Sequence, residues 1–153
     1  MASTGGRCAT KAAPEVAGFV LDCSVAIAWC FDDEATPALD ALQDLAGEVG
    51  AIVPPLWHLE VTNVLLQGER RGRIPDGGAH QRLELLDALP IESDLSGEGS
   101  AWRDAVLAVA RSERLTAYDA TYLELAERLT LPLATSDAAL RKAAIRRNVA
   151  TIP

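Results

Sequence analysis

The sequence predicts an α/β fold, a layered sandwich around a mainly parallel sheet of four to five strands. Three observations carry that prediction. Short apolar runs without apolar/polar alternation recur, beginning with Phe19-Val20-Leu21, as expected of strands buried on both faces. Between them lie stretches whose apolar residues repeat at helical spacing. Two of the runs end at an acid: Asp22 follows Leu21, and Asp137 comes shortly after Leu131-Pro132-Leu133-Ala134. The carboxyl ends of strands are where open α/β sheets form their ligand crevice.

In chain order, residues 19–21 form the first strand. Residues 24–31 form a short helix with Ser24 as its N-cap. An acidic turn, Asp32-Asp33-Glu34, leads to Thr36-Pro37, which starts a second helix with proline at its first position. Leu39, Leu42, Leu45, Ala46 and Val49 give that helix its apolar spacing, and Gly50 ends it. Ala51-Ile52-Val53 is the second strand, closed by Pro54-Pro55. The third helix spans 56–71, with Leu56, Leu59, Val61, Val64 and Leu65 turned inward and Gly72 as its stop. A fourth helix carries Leu83, Leu85, Leu86 and Leu89, and a third strand begins at Pro90-Ile91. Residues 101–113 form a helix with Trp102, Ala105, Val106 and Val109 inward. Another helix runs from Asp119 to 129, a fourth strand covers 131–135, and a last helix covers 137–147. Asn148 takes a left-handed turn before a final strand at 149–152.

The bulk properties set limits. A chain of 153 residues, 49% apolar and 24% charged, suits one domain. Residues 1–17 read as a flexible N-terminal tail without a secretory h-region, and 18–153 as the domain. No apolar run reaches membrane-spanning length. The cysteines Cys8, Cys23 and Cys30 form no C-x-x-C pair, which fits reduced thiols and a cytoplasmic location. The net charge of −8 argues against a general polyanion binder, although half of the 14 basic residues cluster in residues 70–73 and 141–147.

Four of the 22 acids stand apart from a solvated surface. Asp22 and Asp137 lie at strand ends. Glu60 interrupts the apolar Leu59-Glu60-Val61, and Asp119 opens a helix. Singly, each has an ordinary reading as a helix cap or surface acid. Together, a parallel sheet can bring all four to one rim. Carboxylates so gathered raise one another's pKa unless a cation joins them, and an oxygen-only set suits Mg²⁺ or Mn²⁺. His58 and His80 are isolated, and Cys23 is expected to point away from the site as a small core residue. There is no phosphate-binding P-loop, nucleophile elbow or dinucleotide fingerprint.

Leu21-Asp22-Cys23-Ser24 resembles the opening D-x-[ST] motif of PIN-domain ribonucleases. Leu59-Glu60-Val61-Thr62-Asn63 is similar to their second motif, and Tyr118-Asp119-Ala120-Thr121-Tyr122 resembles the third as found in VapC toxins. Leu133-Ala134-Thr135-Ser136-Asp137 resembles the fourth. The resemblance covers residues 19–153. It implies a PIN-like three-layer α/β/α sandwich in which Asp22, Glu60, Asp119 and Asp137 are catalytic and hold Mg²⁺ or Mn²⁺. Ser24, Asn63 and Thr135 would be supporting polar groups. It further implies an endoribonuclease acting on tRNA or rRNA, a homodimer, and inhibition by a VapB-like antitoxin. Arg70, Arg71, Arg73, Arg141 and Lys142 are the candidate RNA contacts.

Two other classes compete. A haloacid-dehalogenase-type phosphatase also places an aspartate after its first strand, but its second aspartate is replaced here by Ser24, and the only lysines are Lys11 and Lys142. A catalytically inactive PIN-like interaction module would be expected to have lost acids, and all four are present.

Overall fold

The structure, a computed structural model, describes residues 18–153. The N-terminal tail expected at 1–17, with Cys8, lies outside the described residues. The elements are β1 (Phe19–Leu21), α1 (Cys23–Trp29), a short 3-10 turn (Asp32–Glu34), α2 (Pro37–Val49), β2 (Ala51–Val53), α3 (Leu56–Arg70), α4 (Gly78–Asp87), β3 (Ile91–Ser93), α5 (Gly99–Glu113), α6 (Ala117–Leu129), β4 (Leu133–Ala134), α7 (Ala138–Arg146) and β5 (Thr151–Ile152).

All five strands are parallel, in the order β3-β2-β1-β4-β5. The apolar run 19–21 is therefore the central strand. Phe19 pairs with Ala51 on one side, while Val20 and Leu21 pair with Leu133 and Ala134 on the other. The chain builds outward from β1 through β2 to β3, then returns to place β4 and β5 on β1's other edge. This reversal makes a topological switch point between β1 and β4, where a crevice opens at the carboxyl ends.

Helices cover both faces of the sheet. On one side α1 packs on α2 and α3, and α3 on α4; on the other α6 packs on α5, α7, β1 and β4. Val20, Leu21, Val53, Val61, Leu65, Leu123 and Leu133 are fully enclosed in the core. The seven consecutive residues 120–126 of α6 are all buried, because this helix is hemmed in on every side. A polar side chain there must find a partner. Glu124 does so: it accepts from the Trp102 indole at 3.1 Å and pairs with Arg128 at 2.8 Å. Arg128 also grips Asp94 at 2.6 Å, tying the loop after β3 to α6.

Several local expectations are corrected. α1 begins at Cys23, one residue before the expected N-cap Ser24, and Asp22 takes the cap position without a side-chain cap bond. α6 begins at Ala117, with Thr116 as its N-cap. On α3 the inward face is Trp57, Val61, Leu65 and Gly68, which leaves Leu59 and Val64 exposed. The helix is apolar on more than one face, so tertiary contact with α1 and α4 selected its phase. Ala105 and Leu85 also face outward. Asn148 does take the left-handed conformation, at φ 58°.

Candidate active site

Asp22 emerges from β1 directly into the crevice and is only 5% exposed. Its Oδ2 accepts two hydroxyl hydrogen bonds, from Ser24 at 2.6 Å and from Thr135 at 2.7 Å. The same hydroxyls accept from backbone: Ser136 N–H donates to Ser24 Oγ and Asp137 N–H to Thr135 Oγ1, both at 3.0 Å. The start of α1 and the β4–α7 junction are thus knitted together around one carboxylate oxygen, and no side chain hydrogen-bonds to Oδ1 among the described residues. Burial pushes the Asp22 pKa up. The two hydroxyls hold it back, and the negative charge of Asp119 adds to the rise.

Glu60 lies in the first turns of α3, half-buried, and its Oε2 accepts from the Tyr122 hydroxyl. Burial raises its pKa, the Tyr122 bond opposes that, and the charges of Asp22 and Asp119 raise it further. Asp119 sits in the first turn of α6. Thr116 Oγ1 accepts from its backbone N–H at 3.1 Å and donates to its Oδ2 at 2.8 Å, a reciprocal pair that caps the helix and aims the carboxylate. The structure thus brings Asp22, Glu60 and Asp119 into one another's field.

Asp137 is placed differently. Its Oδ1 accepts from Leu140 N–H at 2.7 Å as the N-cap of α7, and the residue is exposed. Its backbone joins the Thr135 hydroxyl, while that carboxylate oxygen serves its own helix. Asn63 is exposed on α3, in a shallow groove with Leu56, Leu59, Glu60 and Tyr118.

Cys23 is partly buried and packs against the core. Burial above all keeps it far from ionising, and the charges of Glu60 and Asp22 also raise its pKa. Two of the candidate RNA contacts are also otherwise engaged. Arg73 bridges Asp33 and Glu34 and stacks on Phe31, 3.6 Å from the ring centroid. Arg141 donates to the Thr135 and Ile152 carbonyls. Arg70, Arg71 and Lys142 are exposed and form no ion pair among the described residues.

Among the described residues, no three His, Cys, Asp or Glu side chains are gathered closely enough to enclose a metal by themselves. The donor set nevertheless fits a hard cation that keeps much of its water shell. It is all oxygen, the charge of Asp119 helps raise the pKa values of Asp22 and Glu60, and none of the four forms an ion pair among the described residues.

Sequence reasoning missed Tyr122. It is a fully buried phenol at the floor of the site, read only as part of a helix motif. The available signal was a hydroxyl-bearing aromatic one turn after Asp119 on the same helix face.

Comparison with known proteins bears on this arrangement. No curated protein matches the chain at a significant level. The crystal structure of PAE2754 from Pyrobaculum aerophilum is similar, with 25% sequence identity and a TM-score of 0.63 over 83% of this chain and 84% of that one. The model of the PIN domain family matches residues 19–146, which span every element from β1 to α7 and all four acids. The chain belongs to the PIN domain family.

Proposed function

We propose that this PIN domain is a Mg²⁺- or Mn²⁺-dependent endoribonuclease, the toxin of a VapBC-type toxin–antitoxin pair, acting on RNA of the tRNA or rRNA class. One observation carries the reading: Asp22 is a buried carboxylate with one oxygen fixed by two hydroxyls, in the field of two further acids and with no ion-pair partner among the described residues. Like charges held so close are unfavourable until a divalent cation joins them. Asp22, Glu60 and Asp119 would hold it, with Asp137 as the fourth acid at the β4 end. Bound there, such a cation would lower the pKa of a coordinated water and stabilise charge on a phosphodiester.

The chain's own residues do the positioning. Ser24 and Thr135 fix the Asp22 carboxylate, and Thr116 aims Asp119. Asn63 presents an amide in the groove beside Glu60, able to hydrogen-bond the substrate backbone. Arg70 and Arg71 supply positive charge at the far end of α3 for RNA phosphates. A partner protein also has something to bury here: Leu59 is 75% exposed and Tyr118 64%, both in the groove that includes Glu60. This supports inhibition by a VapB-like antitoxin lying over the site, and a homodimer as the working assembly.

The test is cleavage of a pooled tRNA and rRNA substrate with Mg²⁺ or Mn²⁺, repeated with chelator and with Asp22→Asn and Asp119→Asn. Cleavage dependent on both cation and acids is expected. Cleavage that survives chelation or either substitution overturns the reading.

A further inference from the structure

We infer that Tyr122 is a positioning residue for the acidic site, a buried phenol that locks the Glu60 carboxylate so that one oxygen is left for a cation. This rests on the metal-site reading above. Tyr122 is 0% exposed and lies on α6, the helix enclosed by the sheet, α5 and α7. Its ring is thereby held from all sides. Its hydroxyl has one partner among the described residues, Glu60 Oε2, which lies 62 positions earlier on α3.

The arrangement repeats what surrounds Asp22. There, two hydroxyls hold Oδ2 and leave Oδ1. At Glu60, one hydroxyl holds Oε2 and leaves Oε1. Glutamate has one more rotatable bond than aspartate, and Glu60 is only half-buried, so it needs an external constraint more than Asp22 does. A phenol supplies that constraint without adding charge. A lysine or arginine in its place would neutralise the carboxylate and compete with a cation. Because α6 carries both Tyr122 and Asp119, the same rigid helix sets two of the three acids against Asp22.

Groups that orient metal-bound carboxylates typically contribute 10- to 100-fold in metal affinity. Tyr122→Phe removes only the hydroxyl and keeps the ring, so the core packing is retained. The experiment is calorimetric titration of Mn²⁺ into the wild type, Tyr122→Phe, Glu60→Gln and the double variant, with metal-free melting temperatures measured alongside. The expected result is Mn²⁺ affinity about 10-fold or more weaker for Tyr122→Phe, and no further loss when Tyr122→Phe is added to Glu60→Gln. Wild-type affinity in Tyr122→Phe, or an equal loss in the Glu60→Gln background, overturns the role of Tyr122. Failure of the wild type itself to bind Mn²⁺ overturns the metal site on which it depends. If Tyr122→Phe lowers the metal-free melting temperature, Tyr122→Trp and Tyr122→Leu serve as packing controls. Affinity that tracks melting temperature across the three overturns the proposal; affinity lost equally in all three at differing stabilities supports it.

Discussion

The Thr135 hydroxyl donates to Asp22 Oδ2 at 2.7 Å, joining the ends of β4 and β1 across 113 positions of sequence. Thr135 is completely buried, and its oxygen also accepts from Asp137 N–H. Thr135→Val keeps the shape and removes both bonds. It should destabilise the protein by about 2 kcal/mol, since the Asp137 N–H loses its acceptor and the buried Asp22 carboxylate keeps only the Ser24 hydroxyl. Urea unfolding of the metal-free protein measures this, and an unchanged midpoint would show that the bond contributes nothing.

Asp22→Asn should separate activity from stability. Cleavage should fall by about 100-fold or more, the scale seen when one group stabilising transition-state charge is removed. The metal-free protein should melt at or above the wild-type temperature, because a desolvated charge beside Asp119 has gone. A clearly lower melting temperature would mean that Asp22 is chiefly a structural group.

The raised pKa values of Asp22 and Glu60 give a pH dependence with a definite sign. Each acid binds its proton more tightly folded than unfolded, so stability should fall as pH rises from the ordinary values of 3.8 and 4.5 through the raised ones. Chelated protein should therefore lose stability as pH rises above those ordinary values, and Asp22→Asn should flatten the decline. Stability rising over that window in chelator would contradict the shifts.

Added cation should reverse that loss. At 100 times its dissociation constant, a ligand bound only by the folded state adds about 2.7 kcal/mol. Mg²⁺ or Mn²⁺ should raise the melting temperature of the wild type, but not of a protein carrying Asp22→Asn with Asp119→Asn. Calorimetric scans with and without metal decide it.

Arg128 offers a control remote from the chemistry. It pairs with buried Glu124 and with Asp94. Arg128→Met leaves the Glu124 carboxylate with only the Trp102 indole, and should cost about 3 kcal/mol. Chemical denaturation should show the loss, with Mn²⁺ affinity in the folded protein unchanged.

The sheet was legible because β1, β2 and β4 are short apolar runs whose burial on both faces leaves a plain mark in sequence. The strand-end acids were legible for a related reason: a carboxylate abutting an apolar run has no local explanation except function or capping. What stayed hidden depended on contacts between distant segments. Helix α3 is apolar around much of its circumference, so only packing against α1 and α4 decides that Trp57 faces in and Leu59 out. Arg73 and Arg141 looked like substrate contacts, yet partners 39 and 40 positions away for one and two backbone carbonyls for the other engage them. Tyr122 reads as a core aromatic until Glu60 is brought to it. Asp137 showed both of its faces in sequence, and its hydrogen bond to Leu140 is the capping one.

The strand order has a temporal meaning. Since β1 is made first but gains its second neighbour only when β4 arrives, Asp22 spends most of synthesis without the Thr135 hydroxyl and without the α6 acid and phenol that complete its surroundings. The acidic site is therefore complete only once β4 has docked on β1.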